Sequence, residues 1–249
     1  MKKFLALALA LSMIFAFAAC GAKTEAPKAE DPTAKSEGVM SYADYAAAAL
    51  DTQVVVETYV QAKQGWWDNK ATLYTQDGDG AYFVYNAACS EEDYAKLNAG
   101  TKIKVTGYKG EWAGEVEIMD ASFEVLEGSW VAPVLDVTDK LGTDELVNYQ
   151  NQFVSFKGLT VEAANADGAA FLYNWDGSGA EGTDSDLYFN ASVNGQTYTF
   201  VIEYYLTGAD TDAYKAVQAL KVGDKIDLEG FLYWYEGVQP HITSVAVSK

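Results

Sequence analysis

Two stretches of this chain return, in the same order, in its second half. Ala71–Gly80 (ATLYTQDGDG) reappears as Ala170–Gly179 (AFLYNWDGSG), and Leu97–Tyr108 (LNAGTKIKVTGY) as Leu220–Phe231 (LKVGDKIDLEGF). Ordered echoes of this kind are the mark of one structural unit used twice. The duplication predicts that Asp77-Gly78 will fall on Asp176-Gly177, and Gly107 on Gly230, when the copies are superposed.

The first copy reads as strands joined by turns. Gln53–Lys63 is rich in Val and Tyr, and Ala71–Gln76 and Ala81–Asn86 flank the turn signal Asp77-Gly78-Asp79-Gly80. Ser90 and the acids after it open a helix with Tyr94 and Leu97 on its inner side. Thr101–Tyr108 alternates, with Ile103 and Val105 inward, and a last strand runs over Glu115–Leu126. The second copy repeats this as Phe153–Ala163, Ala170–Asn174, Leu187–Tyr205, a helix over Asp210–Leu220, Lys225–Trp234 and Val238–Val247. It adds a hairpin at Asn194-Gly195 and a polar insert over Trp175–Asp186.

Five short strands with a helix between the third and fourth resemble the OB-fold, the oligonucleotide/oligosaccharide-binding Greek-key barrel. The resemblance spans residues 51–128 and 149–249 and implies a mostly β chain of two five-stranded OB-like barrels. An all-β sandwich is the competing architecture. The resulting organisation is a segment 1–19, a tether 20–40, a first domain 41–128 with an N-terminal helix 41–50, a linker 129–148 and a second domain 149–249. Trp130 and Pro133 make that linker apolar enough for the domains to touch.

Residues 1–19 read as a signal peptide, with Lys2 and Lys3 before the apolar run Phe4–Phe17. Phe17-Ala18-Ala19-Cys20 resembles the lipobox of exported bacterial lipoproteins, which implies lipidation of Cys20, attachment to the membrane through that lipid and an extracytoplasmic location. Phe17 stands where that motif usually has Leu. Without residues 1–19 the chain would carry 15 Lys against 36 acids, a net of −21, and no arginine occurs anywhere. Arginine is the residue that grips phosphate bidentately, and cations on phosphate supply most nucleic-acid affinity. Nucleic acid is therefore not expected as a partner; a glycan or a protein is.

A tight turn at Asp77–Gly80 fixes which side chains share a face: Leu73 with Tyr82 and Val84, and Tyr74 with Phe83 and Tyr85. The aliphatic set belongs to the core, which leaves Tyr74, Phe83 and Tyr85 as an outer aromatic strip. In OB-folds the ligand lies on that face between the first and last loops, which here carry Trp66, Trp67 and Trp112. Tyr173, Trp175, Trp234 and Tyr235 are the counterparts in the second copy. These ten aromatics are the candidate ligand-binding residues, set against the alternative that they pack against the other domain or the 41–50 helix.

Catalytic and metal-binding material is sparse. His241 is the sole histidine, and Cys89, before a helix cap, has no second histidine to activate it. Neither Asp-Gly turn has the Glu that a calcium loop needs at its twelfth position, although Asp176, Glu181, Asp184 and Asp186 could gather round an ion. Gly177-Ser178-Gly179-Ala180-Glu181-Gly182 fits a dinucleotide spacing but does not lead into a helix. The reading is a lipid-anchored cell-surface protein, a non-catalytic binding or assembly module without cofactor or metal. The alternatives are an oligosaccharide-binding accessory lipoprotein, a small carboxylate-dependent hydrolase and, disfavoured by charge, a single-stranded nucleic-acid binder.

Overall fold

The computed structural model describes residues 31–248. The signal-peptide and Cys20 expectations lie outside the described residues. Helix α1 (Tyr42–Ala47), capped by the Ser41 hydroxyl accepting from the Asp44 amide, precedes the first barrel. That barrel is built from β1 (Gln53–Lys63), β2 (Lys70–Gln76), β3 (Ala81–Ala88), β4 (Thr101–Trp112) and β5 (Glu115–Ser129), with α2 (Glu91–Lys96) between β3 and β4. The strands close in the order β1-β2-β3-β5-β4.

After β5 come a short strand, β6 (Leu135–Asp136), and two 3-10 turns, Thr138–Lys140 and Asp144–Tyr149. The second half contains β7 (Phe153–Glu162), β8 (Phe171–Tyr173), β9 (Leu187–Val193) and β10 (Gln196–Ile202). It continues with α3 (Tyr204–Thr207), α4 (Asp212–Gln218), β11 (Lys225–Phe231) and β12 (His241–Ser248). A β7–β9 pairing closes β7-β11-β12-β10-β9 into a second five-stranded barrel, with β6 and β8 added at its edges. The chain is therefore mostly β, with two closed five-stranded OB-like barrels.

The closure corrects one half of the expected repeat. Strand order makes β9 and β10 the counterparts of β2 and β3, so the hairpin equivalent to Asp77-Gly78 is Asn194-Gly195 and not Asp176-Gly177. Of Ala170–Asn174, only Phe171–Tyr173 forms a strand, β8, an extra strand paired to β9 alone. The first echo thus reflects two unrelated turns made of the same turn residues, which Asp and Gly supply anywhere the chain reverses. The second echo is structural: β4 and β11 are equivalent strands, and each breaks register with its neighbour at the matched glycine, Gly107 or Gly230.

The register of the β2–β3 hairpin follows the turn as expected, with Leu73 opposite Val84, Tyr74 opposite Phe83 and Thr75 opposite Tyr82. Leu73, Tyr82 and Val84 point into the first core beside Val54, Val56 and Ile103. Tyr45 of α1 plugs one end of that barrel, and the Lys109 ammonium donates to the α1 carbonyls of Tyr45, Ala46 and Ala48, where helix C-termini favour positive charge. The linker plays a matching part in the second barrel, where Val137, Leu141 and Leu146 join Phe156, Phe189 and Phe200 in one core.

Candidate functional site: an open face on the second barrel

The outer faces of the two barrels meet different fates. Tyr74 and Phe83 are 0% and 3% exposed, because the second barrel lies on them. The Tyr74 ring stacks on Phe231 at 4.6 Å and shares a 2.6 Å hydrogen bond with His241 Nδ1, while Phe83 meets Tyr233 edge-on at 5.3 Å. These two candidates are corrected from binding residues to seam residues. A strip of flat apolar rings gains more from burial against a neighbouring sheet than from contact with water.

A polar network extends the seam. Gln76 Oε1 accepts from the Phe153 amide at 2.9 Å, Asn151 Nδ2 donates to the Val116 carbonyl at 3.1 Å, and Gln150 Nε2 donates to the Gly114 carbonyl at 2.8 Å. Glu115 is fully buried in this network, and its Oε2 accepts from the Trp234 amide at 2.9 Å. Burial pushes the Glu115 carboxyl up to about 8, against the opposing effect of its Asn151, Trp234 and Gln150 contacts. Glu115 Oε1 and Asn151 Oδ1 are both buried without a hydrogen-bond partner.

A pH effect follows from these groups. The folded Glu115 holds a proton that the unfolded chain, near 4.5, has lost, so its stabilising contribution is complete below that value and disappears as pH rises through about 8. His241 acts oppositely: burial lowers it from 6.5 to about 3, so it destabilises the fold only as pH falls below 6.5. Between pH 6.5 and 8 the carboxyls alone titrate, and stability should fall by about 2 kcal/mol. Urea melts at the two pH values read this directly, and Glu115→Gln should remove more than half of the fall.

The corresponding face of the second barrel is open. Tyr188 of β9 with Val201 and Glu203 at the β10 end face outward, since Leu187, Phe189, Phe200 and Ile202 fill the core. Over them lies a groove of about 750 Å³. Trp175 from the β8–β9 loop and Tyr235 from the β11–β12 loop wall it, and Trp112 closes it from the first barrel. Trp112 and Trp175 are 62% and 74% exposed. Asp186, Glu203 and Glu236 supply its charge, and among the described residues that line it there is no lysine.

Burial raises the Glu203 carboxyl to about 7, with the Asp186 charge adding to the effect and hydrogen bonds from the Tyr205 and Leu206 amides and Gln64 opposing it. Asp186 is likewise raised by burial while its Oδ1 accepts from the Tyr204 amide at 2.8 Å.

The remaining candidates divide between a cleft and the cores. Trp66, Trp67 and Tyr85 line a cleft of about 430 Å³ on the first barrel, with Lys70 and Tyr205 beside them. Trp66 is half held, its indole N–H donating to the Cys89 carbonyl at 2.9 Å. Tyr173 and Trp234 pack against the second core, and the Tyr173 hydroxyl accepts from Gln218. Cys89 is buried, its thiol raised first by burial and donating to the Ser90 carbonyl. Among the described residues no three metal-ligating side chains gather, and Asp176 accepts from the Ser178 amide in its own turn. Sequence reasoning named Asp186 only as a possible calcium ligand and did not single out Tyr188, Glu203, Tyr233 or Glu236. The only available signal was the alternation of β9, which turns Tyr188 outward once Leu187 and Phe189 are assigned to the core.

No family model and no curated protein matches the chain. Among solved structures it is similar to the HINa domain of Ifi202 in complex with 20-bp double-stranded DNA, at 10% identity and TM-score 0.34, covering 81% of this chain and 97% of that one. A murine DNA-binding protein bound with double-stranded DNA matches at 11% identity and TM-score 0.33, covering 80% of this chain and 99% of that one. The p202 HIN1 domain in complex with a 12-mer of double-stranded DNA matches at 11% identity and TM-score 0.34, over 81% and 94%.

These neighbours were solved with DNA, which runs against two expectations: a lipid-anchored surface module as the function, and the exclusion of nucleic acid from the partners. Both are withdrawn. The physical flaw was to treat net charge as if it fixed the potential over every loop cluster, when it constrains only the whole surface. At these TM-scores the likeness assigns neither a partner nor a residue role to this chain.

Proposed function

We propose that the chain is a non-catalytic binding protein that holds a small ligand in the groove over β9 and β10. The observation that carries this reading is the asymmetry of the two barrels: one outer face is consumed by the seam, and the equivalent face of the other is left open beneath exposed rings from both barrels. A groove of about 750 Å³ falls within the range of small-molecule sites, and its convergent carboxylates are the few polar groups such sites use for orientation. His241 also lines the groove from the seam side, where burial keeps it neutral. A thermal-shift screen of a chemically mixed small-molecule library tests the proposal. Compounds that raise the melting temperature should lose their effect with Trp175→Ala and Trp112→Ala, two exposed positions whose loss leaves the unliganded melting temperature within a few degrees. Stabilising compounds that act equally on both variants would place the site elsewhere.

A second reading rests on the cleft of the first barrel. Trp67, Tyr85 and Tyr205 offer stacking surfaces beside Lys70, and rings next to a cation are what single-stranded nucleic acid uses. Fluorescence anisotropy with a labelled oligonucleotide decides it: binding that weakens with salt and is lost in Trp67→Ala supports this reading, and no binding at low salt removes it.

A further inference from the structure

We infer that the groove over β9 and β10 is a site for an organic ammonium cation, an inference that rests on the groove being the ligand site. Its composition is selective. Its lining is rich in aromatic rings, Trp112, Trp175, Tyr188, Tyr233 and Tyr235, and the charges are carboxylates from three separate places: Asp186 before β9, Glu203 after β10, and Glu236 in the β11–β12 loop. Ring faces present the negative side of the aromatic quadrupole, and several of them round one space attract a cation whose charge is spread over carbon-bound hydrogens. Each feature excludes another class of ligand. An anion would meet three carboxylates and no lysine. A neutral ring would be served by the aromatics alone and gives no account of acids converging from three segments. A hard metal ion needs several oxygen ligands at close range, and no such group occurs among the described residues.

The carboxylates are placed to respond to a cation. Glu203 Oε1 accepts from the Tyr205 amide and its Oε2 from Gln64 Nε2 at 3.1 Å, so the side chain is fixed at the groove edge. Asp186 from the β9 side is the acid whose charge acts on it; the neutral Tyr188 on β9, Tyr233 after β11 and Tyr74 from the first barrel surround it, and Tyr235, Glu236 and His241, the last kept neutral by burial, line the same groove. With the Glu203 carboxyl at about 7, a bound cation favours ionisation and releases a proton. Affinity for a permanent cation should therefore fall about tenfold from pH 8 to pH 6, as the fraction of ionised Glu203 drops.

Choline and its neutral carbon isostere, in which a quaternary carbon replaces the nitrogen, form the test pair, titrated by calorimetry into the full chain at both pH values. The expected result is choline binding at least tenfold tighter than the isostere at pH 8, a preference lost in Glu203→Gln. That variant keeps an acceptor for the Tyr205 amide, and Asp186→Asn gives a second reading should its fold be disturbed. Equal binding of the two probes, or tighter binding of the isostere, overturns the cation while leaving the groove as the ligand site. Choline binding unaffected by Trp112→Ala and Trp175→Ala overturns the groove itself. No choline binding at millimolar concentration overturns the inference.

Discussion

Tyr74→Ala should destabilise the protein by about 3–5 kcal/mol, the cost of removing a large buried aromatic. Tyr74 belongs to neither main core; it sits between the barrels with Phe83 and Phe231. Its loss leaves a cavity against Phe231 and takes away the hydrogen-bond partner of buried His241. Tyr74→Phe separates the two effects, since it keeps the ring and removes only the hydroxyl, at about 1–2 kcal/mol. Tyr85→Ala, on the same side of the same hairpin but exposed, should cost less than about 1 kcal/mol. Urea melts of the three variants check the series. Because the seam couples the barrels, the Tyr74→Ala melt should also broaden or split as they begin to unfold separately. A Tyr74→Ala midpoint equal to that of the parent chain would mean that the seam contributes little and that the strip is exposed after all.

The contrast between Tyr74 and Tyr85 shows where sequence reasoning stops. Alternation and the Asp77–Gly80 turn place Leu73, Tyr82 and Val84 on one face and Tyr74, Phe83 and Tyr85 on the other, because register is a local property of two strands and their turn. What covers the second face is not local. It depends on Phe231, Tyr233 and His241 arriving from far along the chain, and no periodicity in β2 or β3 carries that information. The open groove was hidden for the same reason: Asp186, Glu203 and Glu236 are ordinary acids in an acidic chain until closure of the second barrel brings them to one place. The two echoes divide along the same line. Asp-Gly turns recur wherever a chain reverses, so the first misled; the second repeats a glycine within a strand, where a residue without a side chain needs a structural cause.

That cause leads to the second large effect. Gly230→Ala should destabilise the chain by about 3 kcal/mol, at the upper end of the range for overpacking. A β-carbon at Gly230 would overlap the His241 carbonyl oxygen and press on the Ile242 Cα, both backbone atoms of the neighbouring strand β12. A flexible side chain could swing away from such a contact; two hydrogen-bonded strands cannot separate without losing their ladder. The register of β11 against β12 shifts between Glu229 and Gly230, so the close approach is built into the crossing that lets the sheet curl into a barrel. Gly107 is in the same position in the first barrel, where a β-carbon would meet the Met119 carbonyl oxygen at 2.7 Å, and Gly107→Ala should be destabilising for the same reason. Gly65→Ala is the control, because the nearest atom to a β-carbon there is the Tyr205 carbonyl oxygen at 3.9 Å; its stability should stay within about 0.5 kcal/mol of the parent. Thermal and urea melts of the three variants decide the matter. If Gly230→Ala and Gly65→Ala melted alike, the repeated glycine would mark no close crossing, and the shared strand geometry of β4 and β11 would need another source.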